Sequence, residues 1–372
     1  MARKGKQLEL PMDKLELLQA PVEHLDIKVV NVVPLIEMMG KTAFQARNLA
    51  RAAMIVNEMV ADPDCGGIIL TLAGSLVSAG QKGAILDLMR SNMVDAIVST
   101  GANIVDQDIF EALGFRHYQG DPFAADGTLR ELAIDRIYDT YIDEEELRVC
   151  DDTTRQIAEG LEPRPHSSRE FIQEMGRYLD RERPDADSIV LEAFRRDIPI
   201  FVPAFSDCSA GFGLVFHQVT HPDRHVSIDS VKDFRELTAI KVHAGTTGLI
   251  MLGGGVPKNF VQDIVVSAEF LGYDVQMHKY AIQLTVADER DGALSGSTLK
   301  EANSWGKVDL AKEQMVFGEA TITFPLVAGY AYHKGAWRNR QPRALARIFA
   351  NGDGLQAVNS SPNMREVAAV AN

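Results

Sequence analysis

Short apolar stretches that end in small residues recur along this chain and alternate with stretches of helical character. In residues 66–80 (GGIILTLAGSLVSAG), β-branched and leucine residues lead into a small-residue turn, which feeds the helical stretch QKGAILDLMRSN. Similar stretches occur in VDAIVSTGAN, IPIFVPAFSDCSAGFGLVF, TTGLIMLGGGVPKNF and YDVQMHKYAIQLTV. Because strands that alternate with helices need crossover connections, the pattern predicts an α/β fold. We expect a doubly wound, mostly parallel sheet with helices on both of its faces.

The remaining sequence is expected to surround one catalytic domain. Residues 31–60 repeat apolar positions at helical spacing and predict two helices. The more polar stretch 121–185 indicates a helical excursion from the sheet. We place an N-terminal extension at 1–26, a single domain at 27–350 and a loosely attached tail at 351–372.

Composition excludes several classes of protein. The 372 residues are 46% hydrophobic, enough for a large core, and carry 38 Lys and Arg against 52 Asp and Glu, a net charge of -14. This charge disfavours nucleic acid as a partner. The three cysteines show neither disulfide nor metal-ligand spacing, and no apolar run is long enough for a signal peptide or a membrane span. We therefore expect a cytoplasmic, soluble protein without a bound metal.

Four predicted strands end in small or acidic residues. In parallel sheets the ligand binds outside the carboxyl ends of the strands, where the loops of several βα units meet. The sequence therefore predicts one pocket at the junction of four such ends, which are Gly74 with Ser75, the stretch 100–103, Ser206 with Asp207, and the glycines 253–255.

Individual motifs in this predicted pocket have two interpretations each. The glycines at 253–255 precede a helix, so they form either a phosphate-binding turn or an ordinary tight turn. Asp106 and Asp108 lie near a helix start, where a carboxylate serves as a cap or as a ligand group. Asp207 directly follows an apolar strand, a position from which a carboxylate can accept from a ribose or an ammonium.

Residues 291–309 (DGALSGSTLKEANSWGKVD) contain the strongest candidate for covalent chemistry. Polar side chains, a tryptophan and a lysine are concentrated here between glycines. A desolvated lysine loses its proton more readily, and neutral lysine is the nucleophile of Schiff-base chemistry. From the residues alone, Lys307 is either such a nucleophile or a surface lysine.

SWGK at 304–307 resembles the motif around the imine-forming lysine of deoxyhypusine synthase. Further segments are similar to that family in order and spacing, over most of residues 27–335: FQARNLARA, NMVDAIVSTGAN, IPIFVPAFSDCSAG, GLIMLGGGVPK, SGSTLKEANSWGKV and EATITFPLVA. The resemblance implies a Rossmann-like fold and a homotetramer with active sites between paired subunits. It also implies NAD as the cofactor, which oxidises a polyamine, and Lys307 as the residue that relays the resulting imine to an acceptor amine.

The resemblance also implies a set of cofactor contacts. Ser75 replaces an asparagine of the family, residues 101–103 replace Ala-Gly-Gly, and Asp106 and Glu319 exchange carboxylate lengths. These changes keep polarity or charge, so NAD binding is expected. The implied contacts are Ser75, Leu76, Ser78, Thr100, Gly101, Ala102, Asp106, Asp207, Gly253, Gly254, Gly255, Asp291, Ser295 and Glu319.

The implied amine pocket departs further from the family. Glu301 and Trp305 match its substrate-binding residues, but Asn259 replaces a histidine base, Asp263 replaces an asparagine and Phe212 replaces an aspartate. Negative charge is therefore moved within the pocket, and an aromatic face suits a guanidinium or a slender cation. Putrescine, spermidine and agmatine are the candidate substrates.

Four functions are compared at this point. The leading hypothesis is transfer of an aminobutyl group to a small amine, which gives homospermidine or a bis-guanidino product. A true deoxyhypusine synthase would instead modify a lysine of a translation factor, but Asn259 cannot act as the base. A non-catalytic NAD- or polyamine-binding protein would not need Lys307 beside Glu301, and a dehydrogenase would release NADH.

Overall fold

The computed structural model describes residues 14–292, 297–350, 352 and 354–355. Residues 1–13 of the predicted extension, most of the predicted tail and Ser295 lie outside the described residues. The helices are α1 (Lys14–Leu17), α2 (Val33–Met39), α3 (Phe44–Ala61), α4 (Lys82–Arg90), α5 (Ile109–Ala112), α6 (Asp126–Glu131), α7 (Glu144–Glu159), α8 (Ser168–Glu182), α9 (Ile189–Arg196), α10 (Ala210–Thr220), α11 (Ser230–Ala244), α12 (Gly255–Phe270), α13 (Leu299–Ser304) and α14 (Ala320–Lys334). A π-helix spans Ala102–Asp108, and 3-10 turns span Leu310–Lys312, Ala336–Asn339 and Leu345–Phe349.

The strands are β1 (Cys65–Leu72), β2 (Ala96–Ser99), β3 (Tyr118–Gln119), β4 (Ile134–Ile137), β5 (Thr140–Asp143), β6 (Pro165–His166), β7 (Ile200–Phe201), β8 (Ser227–Ile228), β9 (Thr246–Leu252), β10 (Tyr280–Thr285) and β11 (Glu313–Phe317). In the described part of the chain, six of them form one sheet in the order β11-β10-β9-β1-β2-β7. Every neighbouring pair in this sheet is parallel.

Helices cover both faces of the sheet, as predicted. Ile68 and Leu70 of β1 belong to a core that includes α3 and α4, whereas Ile69 belongs to a core on the opposite face with α11 and α12. Successive strand residues point to opposite faces, so a strand covered on both faces is a nearly continuous apolar run. The predicted doubly wound, parallel α/β fold is confirmed.

The direction of winding reverses between β1 and β9. The chain runs outward from β1 through β2 to β7, then returns to β9 and runs outward on the other side through β10 to β11. The loops that follow β1 and β9 therefore leave the sheet in opposite directions. A crevice at the carboxyl ends of the strands forms at such a switch point.

The predicted helical excursion at residues 121–185 also contains strands that the sequence did not predict. These residues contain α6, α7 and α8, but also β4 and β5, which join β3 in a three-stranded antiparallel sheet. The sequences of β4 (IDRI) and β5 (TYID) are too short and polar to stand out among helical neighbours. We call residues 118–143 the hairpin insert.

The described part of the predicted N-terminal extension packs against this insert. Pro21 forms an isolated bridge with Tyr118, and the Val22 N–H donates to the His117 carbonyl at 2.8 Å. Glu111 accepts from Lys82 and lies within hydrogen-bonding distance of His24 and His117, at 2.6 and 2.7 Å. Residues 20–25 are therefore fixed to the body of the protein by backbone and ionic contacts.

Each helix in the described residues is too short or too polar to cross a membrane.

Candidate functional site

Two neighbouring cavities that share lining residues lie at the carboxyl ends of the central strands. The larger has a volume of about 840 Å³ and the smaller about 500 Å³, and both are lined by Ala73, Gly74 and Ser75 after β1. The larger cavity extends toward the hairpin insert and the start of α14. The smaller cavity extends toward the ends of β2 and β7 and the start of α12. The loops of four strand ends meet here, as the sequence predicts.

Most of the implied cofactor contacts line these cavities. The smaller cavity is lined by Thr100, Gly101, Ala102, Asp207, Gly254 and Gly255. The larger cavity is lined by Leu76, Ser78, Gly253 and Glu319. Both are lined by Ser75. Asp106 and Asp291 are not among the lining residues, and Ser295 lies outside the described residues.

Asp106 and Asp108 cap helices that follow much later in the chain. The Asp106 carboxylate accepts from the N–H groups of Ser209 and Ala210, at 3.2 and 2.9 Å, at the start of α10. The fully buried Asp108 accepts from Ser188, Ile189 and Val190 at the start of α9. Burial raises the pKa of both carboxyls. Both carboxylates therefore cap helices, but these are α10 and α9 rather than the helix in which the two residues lie.

Two amide side chains shape the turn after β1; Asn103 lies in the predicted stretch 100–103 but was given no role of its own, and Gln107 was not predicted. Asn103 accepts from the N–H of Leu76 at 2.6 Å and donates to the carbonyl of Gly74 at 2.9 Å. Gln107 accepts from the N–H of Ser78 at 2.9 Å. Both lie in the π-helix, a form often found at functional sites. Two amides after the end of β2 were the available signal in the sequence.

The glycine-lined wall of the cavities leaves room for a ligand against the backbone. Gly74 and Gly255 have φ of +64° and +67°, and a Cβ built on Gly74 would meet no atom within 4 Å. Helix α12 begins at Gly255 without a side-chain cap, and its first residues line the smaller cavity. The first N–H groups of a helix lack intrahelical partners and favour anions. This wall therefore fits the diphosphate of a dinucleotide.

Lys307 is ion-paired. Its Nζ lies 2.5 Å from Oδ1 of Asp263 on α12 and 5.3 Å from the centre of the Trp305 ring. The Lys307 side chain is 18% exposed and that of Asp263 41%. These contacts fix the Lys307 Nζ in position between a carboxylate and an aromatic ring.

A buried polar chain fixes the backbone of Lys307. The N–H of His278 donates to the Lys307 carbonyl at 3.0 Å. The His278 ring lies 2.9 Å from the Val261 carbonyl, which only accepts, and 2.8 Å from Thr247 Oγ1. Burial lowers the pKa of His278, so its neutral ring donates to Val261 and accepts from Thr247. Lys241, whose pKa burial lowers to about 8, donates to Thr247 at 2.9 Å.

Lys258 is a second buried lysine near Lys307. Its Nζ donates to the carbonyl and the hydroxyl of Ser297, and so fixes the start of the segment that leads to Lys307. Burial lowers the pKa of Lys258 to about 8, Glu301 acts to raise it, and Lys307 lowers it further. Sequence reasoning gave no role to Lys258, although a lysine one turn into a helix after three glycines was visible.

The implied amine-pocket residues fall into two groups in this chain. Asn259 and Asp263 lie one turn apart on α12, and Glu301 and Trp305 lie on or directly after α13. Phe212 instead lies on α10. This helix packs closely against α7, since a Cβ on Gly213 would be 2.2 Å from the Asp151 carbonyl oxygen. Phe212 is 68% exposed and shares one helix face with the exposed Val215, Phe216 and Val219.

The fold and the cavities define an α/β protein with two cavities at the switch point of a parallel sheet. The family model for deoxyhypusine synthase matches residues 34–331. Relatives named deoxyhypusine synthase-like protein include one from Chlorobaculum parvum, 66% identical over 90% of this chain and 96% of that protein. Another, from Coxiella burnetii, is 60% identical over 93% of this chain and 98% of that protein. The chain belongs to the deoxyhypusine synthase family.

A solved structure supports the fold. The crystal structure of a protein from Entamoeba histolytica, assigned as a deoxyhypusine synthase, superposes with a TM-score of 0.55 at 19% identity. The match covers 84% of this chain and 97% of the other. The sequence-based recognition of the family is thus confirmed, and membership in this family implies a transferase.

Proposed function

We propose that this protein is an NAD-dependent aminobutyl transferase whose acceptor is a small amine. The donor would be putrescine, spermidine or agmatine, and the product homospermidine or a bis-guanidino analogue. The observation that carries the proposal is the partly buried Lys307, held against Asp263 and Trp305 on a segment that is fixed from both sides.

Residues of both cavities would hold the cofactor. Gly254 and Gly255 at the start of α12 are placed for the diphosphate, and Glu319 is placed for ribose hydroxyls. NAD, when bound, supplies a hydride acceptor that also returns the hydride.

Lys307 would carry the aminobutyl group between the two amines. Its neutral amine would add to the imine carbon of the oxidised donor, and the nitrogen already bound to that carbon would leave as an amine, with the electron pair of the broken C–N bond and a proton; the hydride that the cofactor took up would later reduce the final imine. The acceptor amine then adds to the lysine-bound imine carbon and displaces Lys307. Asp263 holds the Nζ between these steps and balances its charge while it is protonated.

The amine pocket favours a small cationic substrate over a protein side chain. Asn259 cannot take up a proton, so the proton transfer to a histidine that a lysine acceptor would use is lost. Asp263 lies one turn along the same helix and supplies a carboxylate for an ammonium or a guanidinium. The exposed ring of Trp305 can lie against the same cation.

Assembly into a homotetramer, with active sites between paired subunits, is part of the proposal. The apolar face of α10, formed by Phe212, Val215, Phe216 and Val219, is 57–74% exposed in the single chain. An exposed patch of this kind suits contact with a second subunit. Such contact would bring Phe212 to the amine pocket of the second subunit.

Mass spectrometry of products tests the proposed function. Purified protein and NAD are incubated separately with putrescine, spermidine and agmatine, with Lys307→Ala as the control. A secondary-amine product from one amine, absent in the control, is expected. Absence of product with every amine would contradict the proposal and favour a protein acceptor or a binding role, and accumulation of free NADH would indicate a dehydrogenase.

A further inference from the structure

An exposed tyrosine stands at the rim of the larger cavity. Tyr138 is 73% exposed and lies at the tip of the hairpin that joins β4 to β5. It lines the larger cavity together with its neighbours Ile137 and Asp139.

The backbone of Tyr138 is held in an unfavourable conformation. Its φ of +52° is in the left-handed region, which bulky residues rarely adopt. Arg136 donates to the Tyr138 carbonyl at 2.8 Å and is itself held by Asp126 at 2.8 and 3.0 Å. The N–H of Gly120 donates to the Asp139 carbonyl at 2.7 Å. The surrounding contacts thus hold an aromatic ring at the rim of the cavity, where a small residue would fit the turn better.

The larger cavity suits an uncharged nucleoside. Its described lining residues include no lysine, arginine or histidine, and its two carboxylates are Asp139 and Glu319. Carboxylates accept hydrogen bonds from ribose hydroxyls and repel phosphate groups. The diphosphate therefore belongs at the start of α12, and the larger cavity is left for the sugar and its base.

The position of Lys307 sets the orientation of a dinucleotide. Pro257 lines the smaller cavity, and Asp263, the partner of Lys307, lies about 9 Å further along the same helix. The reactive nicotinamide end therefore belongs in the smaller cavity. The adenosine end then passes Gly74 and Ser75 into the larger cavity and reaches the hairpin.

We infer that Tyr138 is the aromatic face on which the adenine of NAD stacks. This inference rests on the proposed function and adds a residue that sets affinity for the dinucleotide. Stacking between a base and an aromatic side chain needs no charge and tolerates a partly exposed position.

Calorimetric titration of the full-length protein tests this role with three probes: NAD, ADP-ribose and nicotinamide mononucleotide. Tyr138→Ala should bind NAD and ADP-ribose roughly tenfold more weakly and the mononucleotide unchanged. Tyr138→Phe keeps the ring and should bind all three like the parent. Phe123→Ala is the matched control, because Phe123 is 91% exposed on the same insert but does not line the cavity.

Tyr138→Asn provides a second variant without the ring, since asparagine tolerates the left-handed backbone. It should show the same selective loss, which separates stacking from a folding defect in Tyr138→Ala. Parental NAD affinity in both variants, or an equal loss for the mononucleotide, would overturn the inference alone. If the parent protein binds no NAD, the proposed function fails and this inference fails with it.

Discussion

At the residue scale, the contact between Lys307 and Asp263 is the most informative one. The family has an asparagine at the position of Asp263, so this chain places a full negative charge 2.5 Å from the candidate nucleophile. The carboxylate fixes the amine in space, and the amine competes with any bound cation for this carboxylate. A cationic substrate that pairs with Asp263 would release Lys307 for attack.

Substitution of Asp263 should impair catalysis more than it impairs folding. Asp263→Ala is expected to lower kcat for aminobutyl transfer by roughly tenfold or more, because Nζ loses the group that positions it. Asp263→Asn should retain more activity, since it still accepts a hydrogen bond. Glu269→Ala, on the exposed end of the same helix, serves as the control; parental kcat in Asp263→Ala would exclude the positioning role.

A second residue-scale prediction concerns stability and pH. Asp233 is buried and accepts from Ser168, and burial, aided by Glu236, raises its pKa to about 7. Between pH 4 and 7 the folded protein therefore holds a proton that the unfolded chain has lost, so the contribution of Asp233 to stability falls as pH rises. Asp233→Asn does not titrate.

Urea denaturation of both proteins at several pH values measures this effect. The free energy of unfolding of Asp233→Asn, relative to the parent, should rise steadily from pH 4 to pH 7. A difference that stays constant over this range would show that Asp233 is ionised throughout in the folded state.

At the element scale, the sequence predicts those elements whose pattern is local. The buried strands β1 and β9 are continuous apolar runs, and the two helices at 33–61 follow their periodicity. The hairpin of β4 and β5 was missed because its polar residues alternate over only four positions in each strand. The edge strand β11 was missed for a similar reason, since its sequence EQMVF is only partly buried.

The contact between the turn after β2 and the segment before α10 gives an element-scale prediction. A Cβ on Gly101 would lie 2.5 Å from Sγ and 2.9 Å from Cβ of Cys208. Gly101→Ala should therefore force these two segments apart and weaken NAD binding by distorting the smaller cavity.

Removal of the Cys208 sulfur should partly reverse this effect. We expect the double variant Gly101→Ala, Cys208→Ala to bind NAD more tightly than Gly101→Ala alone, in the same calorimetric titration. Rescue should be incomplete, because the Cβ of residue 208 remains. Parental NAD affinity in Gly101→Ala would show that the close approach does not matter for the cavity.

At the scale of the whole molecule, contacts between segments that are distant in sequence determine the features that could not be predicted from the sequence. The family motifs located the strand ends and Lys307, but not the order of the six strands. The roles of Asn103, Lys258 and His278 were not predicted because they depend on partners 17–39 positions away. Phe212 shows the reverse case, since its side chain is 68% exposed on α10 although the resemblance implies a place in the amine pocket.

A buried ion pair joins the C-terminal part of the described chain to the sheet. Arg340 donates to both carboxylate oxygens of Asp95, at 2.9 and 2.6 Å, and both side chains are at most 3% exposed. Asp95 also accepts from the N–H of Ile68 in β1 at 2.7 Å. Arg340 is therefore linked to the central strand β1 through Asp95.

Breaking this pair should destabilise the whole protein. Arg340→Met is expected to lower the free energy of unfolding by about 3 kcal/mol or more, because Asp95 is left as a buried, unpaired charge. The double variant with Asp95→Asn should lose less. Urea denaturation measures both, and a loss below about 1 kcal/mol in the single variant would mean that Asp95 finds another partner.

Covalent trapping on Lys307 tests the central claim most directly. The protein is incubated with NAD and each candidate amine, reduced with borohydride, digested and analysed by peptide mass spectrometry, with Lys307→Arg and a reaction without NAD as controls. We predict an adduct on the peptide that contains Lys307, aminobutyl with putrescine or spermidine and guanidinobutyl with agmatine, formed only with NAD and absent from the variant. Product formation without an adduct, or an adduct that is equally abundant without NAD, would contradict the account.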